Sequence, residues 1–97
     1  MNNNIDKEYY IVKSILYHVY FNKKILENEL KNKVSKKMQG ESFGLIQETI
    51  KRLIIGKIIK KTWRNYIKIN QVYREEIILI LKEKISHLDI IENIEEK

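Results

Sequence analysis

Cations and amides, with no nucleophile or ligand set among them, are the reactive side chains of this 97-residue chain. It has no cysteine, so neither a thiolate nucleophile nor a thiolate metal site exists. His18 and His87 each lack a second histidine or a carboxylate at metal-ligand spacing, so each reads as an ordinary surface or half-buried side chain. No glycine-rich phosphate loop is present either, and the chain is expected to be no enzyme and to need no cofactor or metal. What remains is positive charge. If Arg64 and Asn65 form a two-residue hairpin turn, Trp63 faces Tyr66, Lys61 faces Lys68 and Lys60 faces Ile69. Two lysines directly opposite each other destabilise a hairpin unless an anion lies between or over them.

The distribution of charge points the same way. The net charge is +6. Residues 1–21 are balanced, residues 22–68 carry thirteen bases against four acids, and residues 69–97 carry four bases against seven acids. A basic centre with an acidic tail is not a uniform compositional bias. Charge of one sign concentrated in this way works against compactness and suggests a polyanionic partner, most simply nucleic acid. The length suits one small domain and is too short for an enzyme fold with a deep cleft. The start, MNNNIDKEYY, lacks the basic and apolar segments of a signal peptide. No run approaches the roughly 18 apolar residues that span a bilayer. A cytoplasmic protein is expected.

The elements that must position these cations follow from periodicity. Tyr9, Val12, Leu16 and Val19, widened by Ile11 and Ile15, mark a core helix over 5–21. Leu26, Leu30, Val34 and Met38 mark a second over 23–38, with Lys31, Lys33, Lys36 and Lys37 falling away from the stripe and the last two suiting its dipole. After Gln39 and Gly40, Ser42 caps a third helix over 42–55 whose inner side is Ile46, Ile50 and Leu53, and Gly56 stops it. A hairpin over 57–69 follows, with Ile58, Thr62, Ile67 and Ile69 toward the core. Asn70 caps a last helix over 71–96, which a Ser86 and Asp89 capping box can break near 86–89. Ile78, Leu81, Ile85 and Leu88, spaced three, four and three apart, read as the seam of a homodimer. The fold class expected is mainly α with a small β-hairpin.

Ser42, then IKRLIIGKI over 50–58, then YIKIN over 66–70 leading into a helix, carry a resemblance. In its order of helix, helix, turn, helix, two-stranded wing and helix, the chain resembles the winged helix-turn-helix domain. More closely it is similar to the small dimeric regulators of the PadR and MarR kind and to short winged-helix proteins of archaea and their viruses. The resemblance covers about residues 9–88 and rests on patterns of residue type. It implies a dimeric transcriptional regulator that puts its third helix into the major groove of duplex DNA and its wing on the adjacent backbone or minor groove. The side opposite the apolar stripe presents Gly44, Leu45, Glu48, Lys51 and Arg52, with Gln47 at the flank. By the resemblance, Ser42 donates to phosphate, Gln47 pairs with adenine, Lys51 and Arg52 meet guanine or phosphate, and Leu45 is available to a thymine methyl. Arg64 and Asn65 form the wing tip, and Lys36, Lys37, Lys61 and Lys68 add phosphate contacts. Five bases per protomer would give a dimer a slope of log K against log salt of about −9. The competing readings are a protein-interaction module and a DNA coater without sequence preference.

Overall fold

The computed structural model describes residues 3–37 and 43–82. In chain order these form helix α1 (Asn3–Asn22), strand β1 (Ile25–Leu26), helices α2 (Glu27–Lys37) and α3 (Phe43–Ile55), strands β2 (Ile59–Lys61) and β3 (Tyr66–Ile69), and helix α4 (Arg74–Lys82). Single 3₁₀ turns at Trp63–Asn65 and Gln71–Tyr73 join the last three elements. The fold is thus mainly helical with a small antiparallel sheet of strand order β1-β3-β2. No helix among the described residues is long and apolar enough to cross a membrane.

Helix α1 is the axis of the core. Ile11, Ile15, Leu16 and Val19 are fully buried, and so are Lys13 and Ser14. His18 is buried as well, so the surface or half-buried placement expected for it does not hold. A single apolar stripe underestimates this helix because it is covered from several sides, by α2, α3, α4 and the sheet. Leu30 and Val34 from α2, Ile46 and Ile50 from α3, Ile77 from α4, and Ile25, Ile59, Ile67 and Ile69 from the strands complete the cluster.

The sequence leaves the start of the second helix open between Asn22 and a residue near Glu27, and the structure takes the later one, at Glu27, so the span from residue 23 is shortened. Lys23 takes a left-handed conformation (φ 64°), which turns the chain and lays Ile25 opposite Ile67 of β3. Ile25 is therefore buried, while Leu26, assigned by spacing to the helical stripe, is exposed. Met38 and the turn through Ser42 lie outside the described residues.

Helix α3 ends in a Schellman arrangement. The Ile58 amide donates to the Leu53 carbonyl at 3.0 Å and the Lys57 amide to the Ile54 carbonyl at 3.0 Å. The left-handed residue is Lys57 (φ 65°) and not Gly56, one position earlier than the chain requires a glycine. A side chain there crowds its own backbone, a penalty glycine avoids. Lys57→Gly is accordingly expected to raise stability by about 0.5–1 kcal/mol, a gain of several degrees in Tm. Thermal denaturation checks it, and a lowered Tm would contradict this account of the helix end.

The hairpin exists, but its register is one residue away from the two-residue turn. The Thr62 amide donates to the Tyr66 carbonyl at 2.8 Å and the Asn65 amide to the Thr62 carbonyl at 3.2 Å, leaving a three-residue loop, Trp63 to Asn65. Ile59 pairs with Ile69, Lys60 with Lys68 and Lys61 with Ile67. The facing lysines are therefore Lys60 and Lys68 instead of Lys61 and Lys68. A slip of one residue exchanges the two faces of a strand. It puts Ile59 with Ile67 and Ile69 in the core and leaves Ile58 and Thr62 half-buried. Burying three isoleucines offsets the left-handed backbone this loop imposes on Arg64 (φ 71°) and Asn65 (φ 66°).

Asn70 acts as a cap, its side-chain oxygen accepting from the Val72 amide at 3.2 Å, but it caps the 3₁₀ turn Gln71–Tyr73, and α4 begins at Arg74 instead of residue 71. Residues 83–96 of the expected helix, with the Ser86 and Asp89 capping box, lie outside the described residues. The Asn70 amide group also donates to the Lys57 carbonyl at 2.7 Å, tying the hairpin exit to the end of α3. In α4, Ile77 enters the core, with Ile80 and Leu81 packed at its edge.

Candidate nucleic-acid interface

Helix α3 is amphipathic between its two ends, where Phe43 and Ile55 are exposed. Ile46, Thr49 and Ile50 are buried, and the Thr49 hydroxyl donates to the Leu45 carbonyl at 2.8 Å, which satisfies it within the helix. Gly44, Gln47, Glu48, Lys51 and Arg52 are exposed on the outer side. Leu45, expected among them, is half-buried and packs against the core, so it does not present a side chain for a thymine methyl.

A chain of polar contacts joins this side of α3 to the hairpin. The Gln47 Oε1 accepts from Lys31 Nζ of α2 at 3.4 Å. Lys31 pairs with Glu27 Oε2 at 3.6 Å, and Glu27 Oε1 pairs with Lys61 Nζ of β2 at 3.0 Å. Lys61, Arg64 and Asn65 then line one cleft of about 300 Å³ with Glu27, Asn28 and Lys31. The outer side of α3, the first turns of α2 and the hairpin tip are thus joined by polar contacts, with exposed Leu26 lining the cleft and exposed Trp63 at the tip as its apolar parts. At its tip the Arg64 guanidinium stacks 4.3 Å from the centre of the exposed Trp63 ring, which orders the arginine while leaving its charge unneutralised.

Not every cation expected on this surface is free on it. Arg52 is shared between Glu8, at 3.5 Å, and Glu48, at 3.9 Å, so its contact with an anion competes with two carboxylates. Lys51 is exposed, and no ion pair among the described residues engages it. Lys36 is exposed in the last turn of α2 and lines neither of the two clefts described in this molecule. Lys37 is buried, its Nζ 4.2 Å from the centre of the Tyr17 ring, and is therefore not a surface phosphate contact. Its position explains this: Leu30, Val34 and Lys37 share one face of α2, so the lysine continues the apolar stripe. Lys68 lies in a second cleft, with Lys23, Lys24 and Arg74, and not on the α3–hairpin surface. Ser42 lies outside the described residues.

Glu27 is the residue that sequence reasoning does not single out. Its spacing to Lys31 is the familiar i,i+4 pair, but its second lysine comes from a strand more than thirty positions away. Its carboxylate stands at the N-terminus of α2, where the helix dipole favours it, and it occupies the largely buried Lys31 and the more exposed Lys61, the one of the two that an approaching polyanion would otherwise meet. Glu27→Gln is expected to tighten binding of duplex DNA by about fivefold at 0.15 M salt through the released Lys61, and to steepen the salt slope by about one. Fluorescence anisotropy across a salt series measures both. Weaker binding by the variant would mean that the pair orders the surface more than it masks it.

Among the described residues no group of three or more histidines or acids is arranged to hold a metal ion. Of the expected dimer seam, Ile78 is half-buried and Leu81 packs on the protomer's own core, while Ile85 and Leu88 lie outside the described residues. Comparison with known proteins finds no matching family model, no matching curated protein and no matching solved structure.

Proposed function

We propose that the chain is a winged-helix protein that binds duplex DNA, with α3 in the major groove and the Trp63–Asn65 tip on the neighbouring backbone or minor groove. The order of elements supports this, since α2, α3 and the hairpin follow one another as the resemblance implies, with β1 added as a third strand. The observation that carries it is the unbroken run of contacts from Gln47 through Lys31, Glu27 and Lys61 to the cleft shared with Arg64 and Asn65. A rod and a ribbon on one side of a small domain can meet a groove and its flanking backbone together.

Phosphate attraction dominates this reading. Gln47 is the one uncharged amide side chain exposed on the outer side of α3, beside Gly44 and a retracted Leu45, so few groups are available to read base edges. Dimerisation through the C-terminal helix belongs to the same proposal, supported by the exposed Leu79 beside half-buried Ile78. Selection of bound fragments from a random duplex pool at near-physiological salt tests it. Retention of duplexes supports DNA binding, a palindromic motif adds a dimeric regulator, and retention without a motif makes the protein a coater. Failure to retain any duplex overturns the proposal in favour of a protein-interaction module.

A further inference from the structure

The second cleft lies between the end of α1, the outer face of β3 and the start of α4. It measures about 820 Å³ and is lined by Lys23, Lys24, Lys68 and Arg74 together with Tyr20 and Phe21, and no carboxylate among the described residues lines it. That volume falls within the range of small-molecule sites. We propose that this cleft binds a nucleoside polyphosphate, its phosphates against the four cations and its base against the exposed Phe21 ring.

Local electrostatics does not account for all four charges. Lys23 and Lys24 follow the C-terminus of α1, where cations offset the helix dipole. Arg74 opens α4 at the end where that dipole disfavours a cation. Lys68 stands directly across the strand pair from Lys60, a like-charge pairing that weakens a sheet. Two of the four cations are thus placed against the interest of their own elements, and an anion in the cleft reverses both penalties.

Two of the cations, Arg74 and Lys24, are also held in place by aromatic side chains. The Arg74 guanidinium donates to the Tyr20 hydroxyl at 3.4 Å and lies 5.9 Å from that ring's centre. Lys24 Nζ lies 4.8 Å from the centre of the Tyr66 ring. Phe21 packs edge-on against Tyr20, with centroids 5.1 Å apart, yet remains 58% exposed and so offers a supported aromatic face. Four cations lining one cleft suit a compact di- or triphosphate better than the evenly spaced phosphates of a strand. The ring supplies the stacking that every nucleobase accepts.

The test is a titration of isotopically labelled full-length protein with ATP, inorganic tripolyphosphate and a short oligothymidylate strand, followed by backbone amide shifts. ATP is expected to shift residues 20–24 and 68–74 with sub-millimolar affinity, and tripolyphosphate to shift the same residues several-fold more weakly. The variant Lys68→Gln with Arg74→Gln should lose at least about tenfold in ATP affinity, while the charge-matched control Lys33→Gln with Lys82→Gln keeps it. Duplex binding through α3 and the hairpin should stay within about threefold in the cleft variant, so the two surfaces are separable. No shift in this region at about 5 mM ATP overturns the proposal, as does an equal loss in the control. Tighter binding of the oligonucleotide than of ATP to these residues also overturns it, in favour of a single-strand track.

Discussion

The double variant Lys51→Glu with Arg64→Glu is expected to bind duplex DNA at least about 25-fold more weakly per protomer at 0.15 M salt. Each phosphate contact contributes roughly fivefold at that ionic strength, and removing two multiplies the factors before any repulsion from the new carboxylates is counted. Lys51 is exposed on the outer side of α3 and Arg64 at the hairpin tip, so the variant addresses both halves of the surface at once. Neither side chain enters the core. The thermal midpoint should therefore move little, apart from the modest loss of the Arg64 stacking on Trp63. Anisotropy with a labelled duplex, paired with a melting curve, separates lost binding from lost folding. Unchanged affinity would remove the α3–hairpin surface from consideration.

Ile67→Ala is expected to be the most damaging single change on the sheet, costing about 2–5 kcal/mol. Ile67 is fully buried in the central strand, opposite Ile25 of β1 and opposite Lys61 of β2. Truncation leaves a cavity where the three strands meet α1, and neighbours fixed by a backbone ladder can close it only in part. A domain of this size commonly has 5–15 kcal/mol in total, so the loss lowers Tm by ten degrees or more, or unfolds the protein at room temperature if stability is at the low end. Denaturant unfolding measures it. A loss under about 0.5 kcal/mol would contradict the register, because such a small effect belongs to a surface position.

What the sequence makes legible, and what it hides, follows from how far apart the interacting residues are. The first three helices of the chain are visible because Leu16 and Val19, Leu30 and Val34, and Ile46 and Ile50 repeat at helical spacing and are all buried. Asn70 is visible as a cap because its chemistry acts two residues away. Strand β1 is not visible, since a strand of two residues has no period and exists only because Ile67 lies opposite Ile25. The hairpin register is ambiguous locally: Ile58 and Ile59 are adjacent and both β-branched, and only the core decides which one turns inward.

The candidate surface follows the same rule. Gln47, Lys51 and Arg52 reach the outer side of α3 as helical geometry requires. Lys37 misleads because its charge suggests solvent while its spacing to Leu30 and Val34 puts it beneath Tyr17. Glu27 with Lys61, Arg52 with Glu8, and Lys68 with Lys23 and Arg74 are meetings of distant segments, and no local pattern announces them.

The most direct test of the central claim is a map of backbone amide shifts as a short duplex is added to the labelled protein. The account predicts changes concentrated at Gly44, Gln47, Glu48 and Lys51 of α3, at Lys31 of α2 and over 61–65 of the hairpin. Duplex binding that leaves all of these unmoved while shifting other parts of the molecule would contradict it.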